Sequence, residues 1–401
     1  MASRRITQRE AEDLRGLGRA MVDATTGVTD VVEQMHRTIL GMSLPVGPAA
    51  PERTGGLTGL VYATVRGTAR LVGSAVDAGL GTLASQAATE EVADDSRSAR
   101  RDDLVAVLNG VYGDYLADSG NPLATPTELR HRGERLDVQG PAGALPGGDR
   151  LLVLVHGLCV DERCWGRRGT DRVAALAEEL GFTALHLRYN TGRPIPENGR
   201  GLAALLDAAV QAWPVPVASL ALVGHSMGGL VARSAVHAAE SDGFRWRDRL
   251  DRLVTLGSPH RGSPAEQVGS AVDVALGVSP YSAPIRRLTT RRSQGIIDLR
   301  NGRVAASRDG GSLDVPLPSG VACFAAAASL GGTRNTIDDR LRGDGLVPVR
   351  SALGIDPTTP SRSLSFPKEH TWVGLRMGHL DLLDHPDLID VLRGWLGAEA
   401  A

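Results

Sequence analysis

The residues best placed for covalent chemistry lie at 224–228, where the sequence reads Gly-His-Ser-Met-Gly. This G-x-S-x-G spacing is typical of a sharp turn that projects a serine hydroxyl between a strand and the helix that follows it. The apolar run 220–223 predicts the strand, and an amphipathic helical pattern continues after the motif. Any larger residue in place of Gly224 or Gly228 would bring its side chain into collision with the neighbouring strand and helix. We therefore predict that Ser226 is a nucleophile.

Attack by a serine on an acyl carbonyl creates an oxyanion, and the predicted donors for it lie in two separate segments. The first donor is the backbone N–H of Met227, the residue after the nucleophile. The second donor should follow an earlier buried strand, for which the continuous apolar run 151–155 is the candidate. This run ends in His156-Gly157-Leu158, and we assign the second N–H to Leu158. We expect His156 to hold this loop by hydrogen bonding rather than to react.

A serine nucleophile needs a general base, and the base needs a carboxylate that orients it. In the fold that this turn implies, the chain order is serine, acid, histidine. His379 lies between the last predicted strand and the last predicted helix, and it is the predicted base. Asp344 lies between two glycines in the loop before that strand, and it is the predicted acid. The residues expected to shape the site around these groups are His156, Gly157, Gly224, His225 and Gly228.

Other histidines stay open as alternatives for the base. His385 precedes a proline and is expected to begin the last helix, and His370 is a weaker candidate. His260 follows too early a strand, so we expect it to shape the wall of the cleft.

Other aspartates stay open as well. Asp338 and Asp339 are rivals for the acid, although they resemble solvated residues at a turn. Asp381 and Asp384 follow the predicted base and are expected to cap the approach to the last helix, with calcium binding as the alternative. No metal site is predicted.

From about residue 127, short strand patterns alternate with helical patterns. Such alternation predicts an α/β fold with a mostly parallel, doubly wound sheet. Residues 263–318 interrupt the alternation with short helical patches and loops. The predicted strands are 151–155, 183–187, 220–223, 253–256, 321–327 and 371–376. The predicted helices are 173–180, 202–213, 227–240 and 386–396.

Residues 1–120 form a helical region in which Pro45, Pro48 and Pro51 interrupt the helical pattern. Helices are predicted over 14–35, 57–84 and 102–116 from the spacing of apolar residues. The second has few charges and must pack against something, so we expect a hairpin with the first. We expect these helices to pack on one another and on the rest of the chain, or to dimerise. Contact with a membrane surface or a partner is the alternative.

Composition limits the class of protein. The chain has 401 residues, of which 42% are apolar and 22% charged, and its net charge is −2. This balance is typical of a globular protein and does not favour nucleic acid as a partner. Three cysteines do not make a disulfide framework or zinc-ligand spacing. Since no apolar leader and no run of about 18 apolar residues is visible, a cytoplasmic location is expected.

Five segments carry a resemblance to a known family. They are VLVHGLCVDERCW (153–165), LVGHSMGGLVAR (222–233), LVTLGSPHRGSP (253–264), GDGLVPVRSALG (343–354) and GHLDLLDHPDLIDVLRGWL (378–396). Together and in order, they resemble the bacterial lipase/esterase branch of the α/β-hydrolases, and they are similar to the triacylglycerol lipases and the PGAP1-like ester hydrolases. The resemblance spans roughly residues 125–401. It implies an α/β-hydrolase fold, the triad and oxyanion donors assigned above, and a cap or lid at 263–318.

The resemblance implies hydrolysis of a carboxylic ester, lipid-like or otherwise, through an acyl group on Ser226 and without a cofactor. The expected division is an N-terminal helical region at 1–120 and an α/β-hydrolase domain at 121–401. An acyltransferase with the same triad and a non-catalytic scaffold on a hydrolase fold remain as alternatives. The expected partner is a small-molecule or lipid-like ester, with membrane-surface contact or homo-oligomerisation through the N-terminal helices. Secreted lipases carry a signal peptide and often a disulfide or a calcium ion, and none of these is evident in the sequence. An intracellular esterase is therefore favoured over secreted fat digestion.

Overall fold

The computed structural model describes residues 12–13, 15–16, 18–19, 95–138, 140, 145–264, 293–306, 311–332 and 343–397. The chain divides into two compact units, residues 1–98 with 116–124 and residues 99–115 with 125–401. In the smaller unit, the amide of Asn121 donates to the carbonyl oxygen of Gly16 at 2.9 Å. All of the predicted site residues belong to the larger unit.

Seven helices are described. They are α1 (Asp95–Asp118), α2 (Arg172–Glu179), α3 (Ile195–Ala212), α4 (Met227–Asp242), α5 (Gln294–Asn301), α6 (Val349–Ala352) and α7 (Pro386–Gly397). Short 3₁₀ turns span Glu162–Gly166, Arg245–Arg249, Pro360–Arg362, Lys368–His370 and His379–Leu383. The helix predicted over 102–116 is confirmed as α1. The helix predicted over 14–35 is described only at 15–16 and 18–19, and the one over 57–84 lies outside the described residues.

Ten strands are described. They are β1 (Glu128–His131), β2 (Glu134–Arg135), β3 (Arg150–Val155), β4 (Thr183–Arg188), β5 (Ser219–His225), β6 (Leu250–Leu256), β7 (Ala305–Ala306), β8 (Ser312–Leu313), β9 (Ala322–Ser329) and β10 (Thr371–Leu375). Eight of them form one sheet in the order β10-β9-β6-β5-β3-β4-β1-β2. The six strands from β10 to β4 pair in parallel, and β1 pairs antiparallel with β4 and β2. The predicted mostly parallel, doubly wound sheet is confirmed.

The core explains why the predicted strands read as continuous apolar runs. In β3, Leu151, Val153 and Val155 pack into one apolar cluster, whereas Leu152 and Leu154 pack into another. Successive side chains of a strand point to opposite faces, so helices cover both faces of the sheet. The parallel strands consequently bring their carboxyl ends to one edge, where a site can form.

Helix α3 begins earlier than predicted, at Ile195 rather than near residue 202. Pro196 lies in the first turn, where a proline removes only an N–H that has no helical partner. The buried carboxylate of Asp298, on α5, instead accepts the N–H of Ile195 at 3.0 Å. Asp298 also pairs with Arg303 at 3.3 Å. The start of α3 is therefore fixed by a residue about a hundred positions later in the chain.

The region predicted as a cap or lid is described only in part. Within 263–318, the structure describes helix α5 and the short antiparallel hairpin β7–β8. Residues 265–292 and 307–310 lie outside the described residues. Over the described ranges, no helix is both long and apolar enough to span a membrane.

Replacing Asp298 should destabilise the larger unit. Asp298→Ala removes the acceptor for Ile195 N–H and the partner of Arg303, and we expect a loss of about 1–3 kcal/mol in the free energy of unfolding. Asp298→Asn keeps an oxygen acceptor and should lose less. Urea unfolding of both variants measures the difference. Equal stability of Asp298→Ala and the wild type would contradict this assignment.

Candidate active site

The predicted nucleophile lies in a strained turn at the carboxyl end of β5. Ser226 has φ 55° and ψ −122°, in the left-handed half of backbone space that non-glycine residues rarely occupy. Its N–H donates to the carbonyl oxygen of Leu256 at 2.8 Å, and α4 begins at the next residue. A Cβ at Gly228 would lie less than 3.0 Å from the carbonyl oxygen of Val155. The helix can approach β3 this closely only because Gly228 has no side chain, and the predicted elbow is present.

The predicted acid and base form a buried pair. Nδ1 of His379 lies 2.7 Å from Oδ2 of Asp344, and the N–H of His379 donates to the carbonyl oxygen of Asp344 at 3.1 Å. The other carboxylate oxygen accepts the N–H groups of Leu346 and Val347 at 2.9 and 2.8 Å. Because a carboxylate oxygen can only accept, Nδ1 carries the proton and Nε2 is left as the basic nitrogen.

The side chains of Asp344 and His379 lie close to Gly257, at the carboxyl end of strand β6. Gly257 directly follows β6 with φ 60°, and its N–H donates to the carbonyl oxygen of Ala326. A Cβ at this position would lie 3.2 Å from Cε1 of His379 and 3.3 Å from Oδ2 of Asp344. Gly257 therefore gives the imidazole room beside the sheet. The sequence reasoning placed this segment in the cleft wall but did not single out Gly257, whose signal is its position directly after a buried strand.

His225 links the turn at Ser226 to the backbone of His379. Its Nε2 donates to the carbonyl oxygen of His379 at 3.1 Å, and the two rings lie 4.7 Å apart. Burial, reinforced by the nearby His379, lowers the pKa of His225 well below its ordinary value, so the ring is neutral. The proton must then lie on Nε2, because a carbonyl oxygen cannot donate. The residue beside Ser226 thus anchors the backbone of His379.

The predicted oxyanion donors lie on opposite sides of Ser226 in the chain and close to it in space. A Cβ at Gly157 would lie 3.1 Å from Cβ of Ser226, so the loop after β3 passes directly beside the nucleophile. Leu158 follows in that loop, and Met227 is the first residue of α4. Neither N–H donates a hydrogen bond to another residue in the part of the chain that the structure describes.

The ring of His156 is hydrogen-bonded within the loop after β3. It is fully buried, and its Nδ1 lies 3.0 Å from the carbonyl oxygen of Gly157. The ring stacks on Tyr189 with centroids 4.5 Å apart, and the Tyr189 hydroxyl donates to the carbonyl oxygen of His156 at 2.8 Å. Burial lowers the pKa of His156, so this ring is also neutral. Tyr189 was not predicted, since a tyrosine after a strand has no distinctive spacing.

The alternative histidines are held elsewhere. Buried His260 has Nδ1 3.2 Å from Arg233 and Nε2 3.1 Å from the hydroxyl of Thr255. Burial and the Arg233 charge lower the pKa of His260 well below its ordinary value. His370 lies 3.2 Å from the carbonyl oxygen of Cys323, and His385 precedes α7 and accepts a backbone N–H there.

Of the alternative acids, the structure describes Asp381 and Asp384. Asp338 and Asp339 lie outside the described residues. Asp381 and Asp384 pair with Arg167 and Arg168 at 3.0–3.3 Å, so two guanidinium groups match their charge. In the described ranges, no group of three or more His, Cys, Asp or Glu side chains is arranged to hold a metal ion.

A side chain at position 228 should break the elbow. Gly228→Ala places a Cβ against a backbone carbonyl that cannot move without shifting β3, and we expect a loss of about 3 kcal/mol or more of stability. Gly394→Ala on α7 is the matched control, because its Cβ would meet nothing within 4 Å. Thermal unfolding of both variants measures the cost. A Gly228→Ala protein as stable as Gly394→Ala would contradict the close approach.

Position 225 should need a hydrogen-bond donor. His225→Gln retains a donor for the buried carbonyl of His379, whereas His225→Leu leaves that carbonyl unsatisfied. We expect the leucine variant to be less stable than the glutamine variant by about 1–3 kcal/mol. Urea unfolding of the two proteins measures this difference, and equal midpoints would show that the hydrogen bond contributes nothing.

Comparisons with known proteins agree with this architecture. Residues 207–329 match the family model described as PGAP1-like alpha/beta domain. No curated protein sequence matches the chain.

Three similar solved structures illustrate the range of matches. The mature lipase BlEst2 of Bacillus licheniformis is 19% identical, with a TM-score of 0.42, over 64% of this chain and 96% of that chain. The esterase of Thermogutta terrifontis is 17% identical, with a TM-score of 0.37, over 68% and 92% of the two chains. The RedJ thioesterase of Streptomyces coelicolor is 20% identical, with a TM-score of 0.35, over 66% and 97%. The sheet order and the strained serine turn after β5 give this chain an α/β-hydrolase fold, and residues 207–329 within it are similar to the PGAP1-like alpha/beta domain.

Proposed function

We propose that the protein is a serine hydrolase that cleaves carboxylic esters through an acyl group on Ser226. The observation that carries the proposal is the buried contact of 2.7 Å between His379 Nδ1 and Asp344 Oδ2, held beside a serine in a strained turn. Nucleophile, base and orienting carboxylate then come from three different loops at one edge of the sheet. This is the arrangement that nucleophilic acyl transfer requires.

In the proposed first half-reaction, the Ser226 hydroxyl attacks the ester carbonyl while Nε2 of His379 takes its proton. A C–O bond forms to Ser226, and the carbonyl oxygen becomes an oxyanion. The carbonyl then re-forms, the alcohol leaves with the proton from His379, and the acyl group remains on Ser226. In the second half-reaction, water attacks the acyl carbonyl while Nε2 of His379 takes its proton. The bond between the acyl carbon and Ser226 Oγ then breaks, Oγ takes the proton back from His379, and the carboxylic acid departs.

Asp344 has two tasks in this mechanism. It holds the proton of His379 on Nδ1, and its negative charge stabilises the imidazolium that forms when Nε2 is protonated. The N–H groups of Leu346 and Val347 fix the carboxylate, so that its second oxygen faces the imidazole. The loop around Asp344 is built tightly, since a Cβ at Gly343 would lie less than 3.0 Å from the carbonyl oxygen of Val347.

The surroundings of the base favour formation of its cation. Burial keeps His225 and His156 neutral, so neither places a second positive charge beside the imidazolium. The free N–H groups of Leu158 and Met227 are the proposed donors to the oxyanion. Removing one such donor typically lowers kcat about 10²–10³-fold. No cofactor enters this scheme.

Acyl-chain length and the alcohol part of the ester stay open in this proposal. A lipid-like ester, contact with a membrane surface and oligomerisation through the N-terminal helices remain expectations from the sequence. The helices over 14–35 and 57–84 that would mediate such contacts lie almost wholly outside the described residues.

The proposal predicts that Ser226→Ala abolishes hydrolysis of p-nitrophenyl esters, with a fall in kcat of about 10⁴-fold or more. Asp344→Asn should also lose most of its activity, because the amide no longer enforces the basic tautomer of His379. Ser241→Ala, at an exposed position on the same helix α4, is the control and should retain wild-type activity.

A fluorophosphonate probe tests the nucleophile independently of the substrate. Labelling of folded wild-type protein, lost in Ser226→Ala and kept in Ser241→Ala, would support the proposal. An unlabelled wild type without ester hydrolysis would favour a non-catalytic scaffold. Release of a transesterified product when an alcohol acceptor is added would favour an acyltransferase.

A further inference from the structure

Helix α1 contacts the loop that carries a proposed oxyanion donor. Val107 and Val111 of α1 form a small apolar cluster with Cys159, and the side chains of Tyr112 and Leu158 pack against it. This part of α1 belongs to the same compact unit as the sheet. The sequence pattern predicts a separate helical region here, whereas in the structure this part of α1 packs against the loop after β3.

The closest contact is at Gly110. A Cβ on Gly110 would lie less than 3.0 Å from Sγ of Cys159. Cys159 itself has φ 60°, and its N–H donates to the hydroxyl of Thr191 at 3.3 Å. A non-glycine residue adopts this left-handed conformation only where its surroundings hold it there. The helix lies on one side of Cys159, and the Thr191 hydroxyl holds its N–H.

A second set of contacts fixes α1 itself. The amide of Asn190 donates to the carbonyl oxygen of Gly113 at 2.7 Å, and a Cβ on Gly113 would collide with that amide. The hydroxyl of Ser293 donates to the carbonyl oxygen of Gly110 at 2.6 Å. The carboxylate of Asp114 accepts the N–H of Gln294 at 3.0 Å, at the start of α5. These contacts leave α1 little freedom to shift relative to the loop.

From these contacts we infer that α1 is a positioning element of the oxyanion hole, acting through Gly110. The helix holds Cys159 in its left-handed conformation and packs against the side chain of Leu158. The N–H of Leu158 is thereby directed at the place where the oxyanion forms. The inference rests on the proposed function, and it assigns a catalytic purpose to a helix outside the core hydrolase fold. Preorganised donors act through fixed direction, so a small rotation of this peptide lowers the rate.

The test is made in the full chain with Gly110→Ala. The added methyl group should push Cys159 and the neighbouring Leu158 N–H out of place. We expect kcat for p-nitrophenyl esters to fall about ten-fold or more, while KM changes less than about two-fold, because the oxyanion contact is made in the transition state. A merely structural effect would lower the amount of folded enzyme and the melting temperature instead.

Two further variants make the result specific. Gly110→Ala combined with Cys159→Gly returns the space that the methyl group takes, and it should recover most of kcat. Gly394→Ala is the control for a glycine-to-alanine change within a helix, because the added Cβ would meet no other atom within 4 Å. If Gly110→Ala does not fold, Val107→Ala loosens the same cluster without a clash and should lower kcat several-fold.

The outcomes separate this inference from the proposed function. An active, fluorophosphonate-labelled wild type with a low kcat in Gly110→Ala and recovery in the double variant would support the positioning role. An active wild type whose kcat is unchanged by Gly110→Ala, or by Val107→Ala where that variant is used, would overturn the role of α1 alone. An inert, unlabelled wild type would overturn the proposed function, and the positioning role with it.

Discussion

The contact between helix α4 and strand β3 at Gly228 is the constraint on which the site depends. Because there is no room for a side chain there, the chain turns from β5 into α4 within a single residue, Ser226. Strained backbone of this kind costs about 1–3 kcal/mol and persists only when its surroundings hold it. Here the hydrogen bond from Ser226 to Leu256 and the packing of β5 on both faces of the sheet hold it. The remaining groups need only be brought to the same edge.

Parallel strands bring these groups together, because their carboxyl ends all lie at one edge of the sheet. The strands β3, β5, β6, β9 and β10 all end at that edge, and each is followed by a loop that contributes to the site. The loops carry different residues: Leu158 after β3, Ser226 after β5, Gly257 after β6, Asp344 after β9 and His379 after β10. Burial lowers the pKa of His156 and of His225, so both rings are neutral at this edge of the sheet.

Much of this arrangement could be predicted from the sequence, because its signals are local. The runs that became β3 to β6 are apolar on both faces, and the motif around Ser226 has a fixed spacing. The contact between Asp344 and His379 was predicted from chain order and is present in the structure.

Long-range contacts were not predictable in the same way. The start of α3 depends on Asp298, and the short polar strands β1 and β2 have no apolar alternation. In α1, Gly110 and Gly113 weaken a helical pattern when they are considered alone. In the structure, the missing side chains of these two glycines allow Cys159 and Asn190 to pack closely against α1. Such long-range contacts cannot be predicted from the local sequence pattern.

The position of β10 has a consequence for how the protein loses function. Among the described strands, β10 pairs only with β9, whereas β5, which leads to Ser226, has strands on both sides. Edge elements open locally at a lower free energy than the centre of a sheet. Fraying of β10 would carry His379 away from Ser226 while the central strands stayed folded. Inactivation on warming would then report the stability of one edge strand, and the temperature at which the chain as a whole unfolds would be higher.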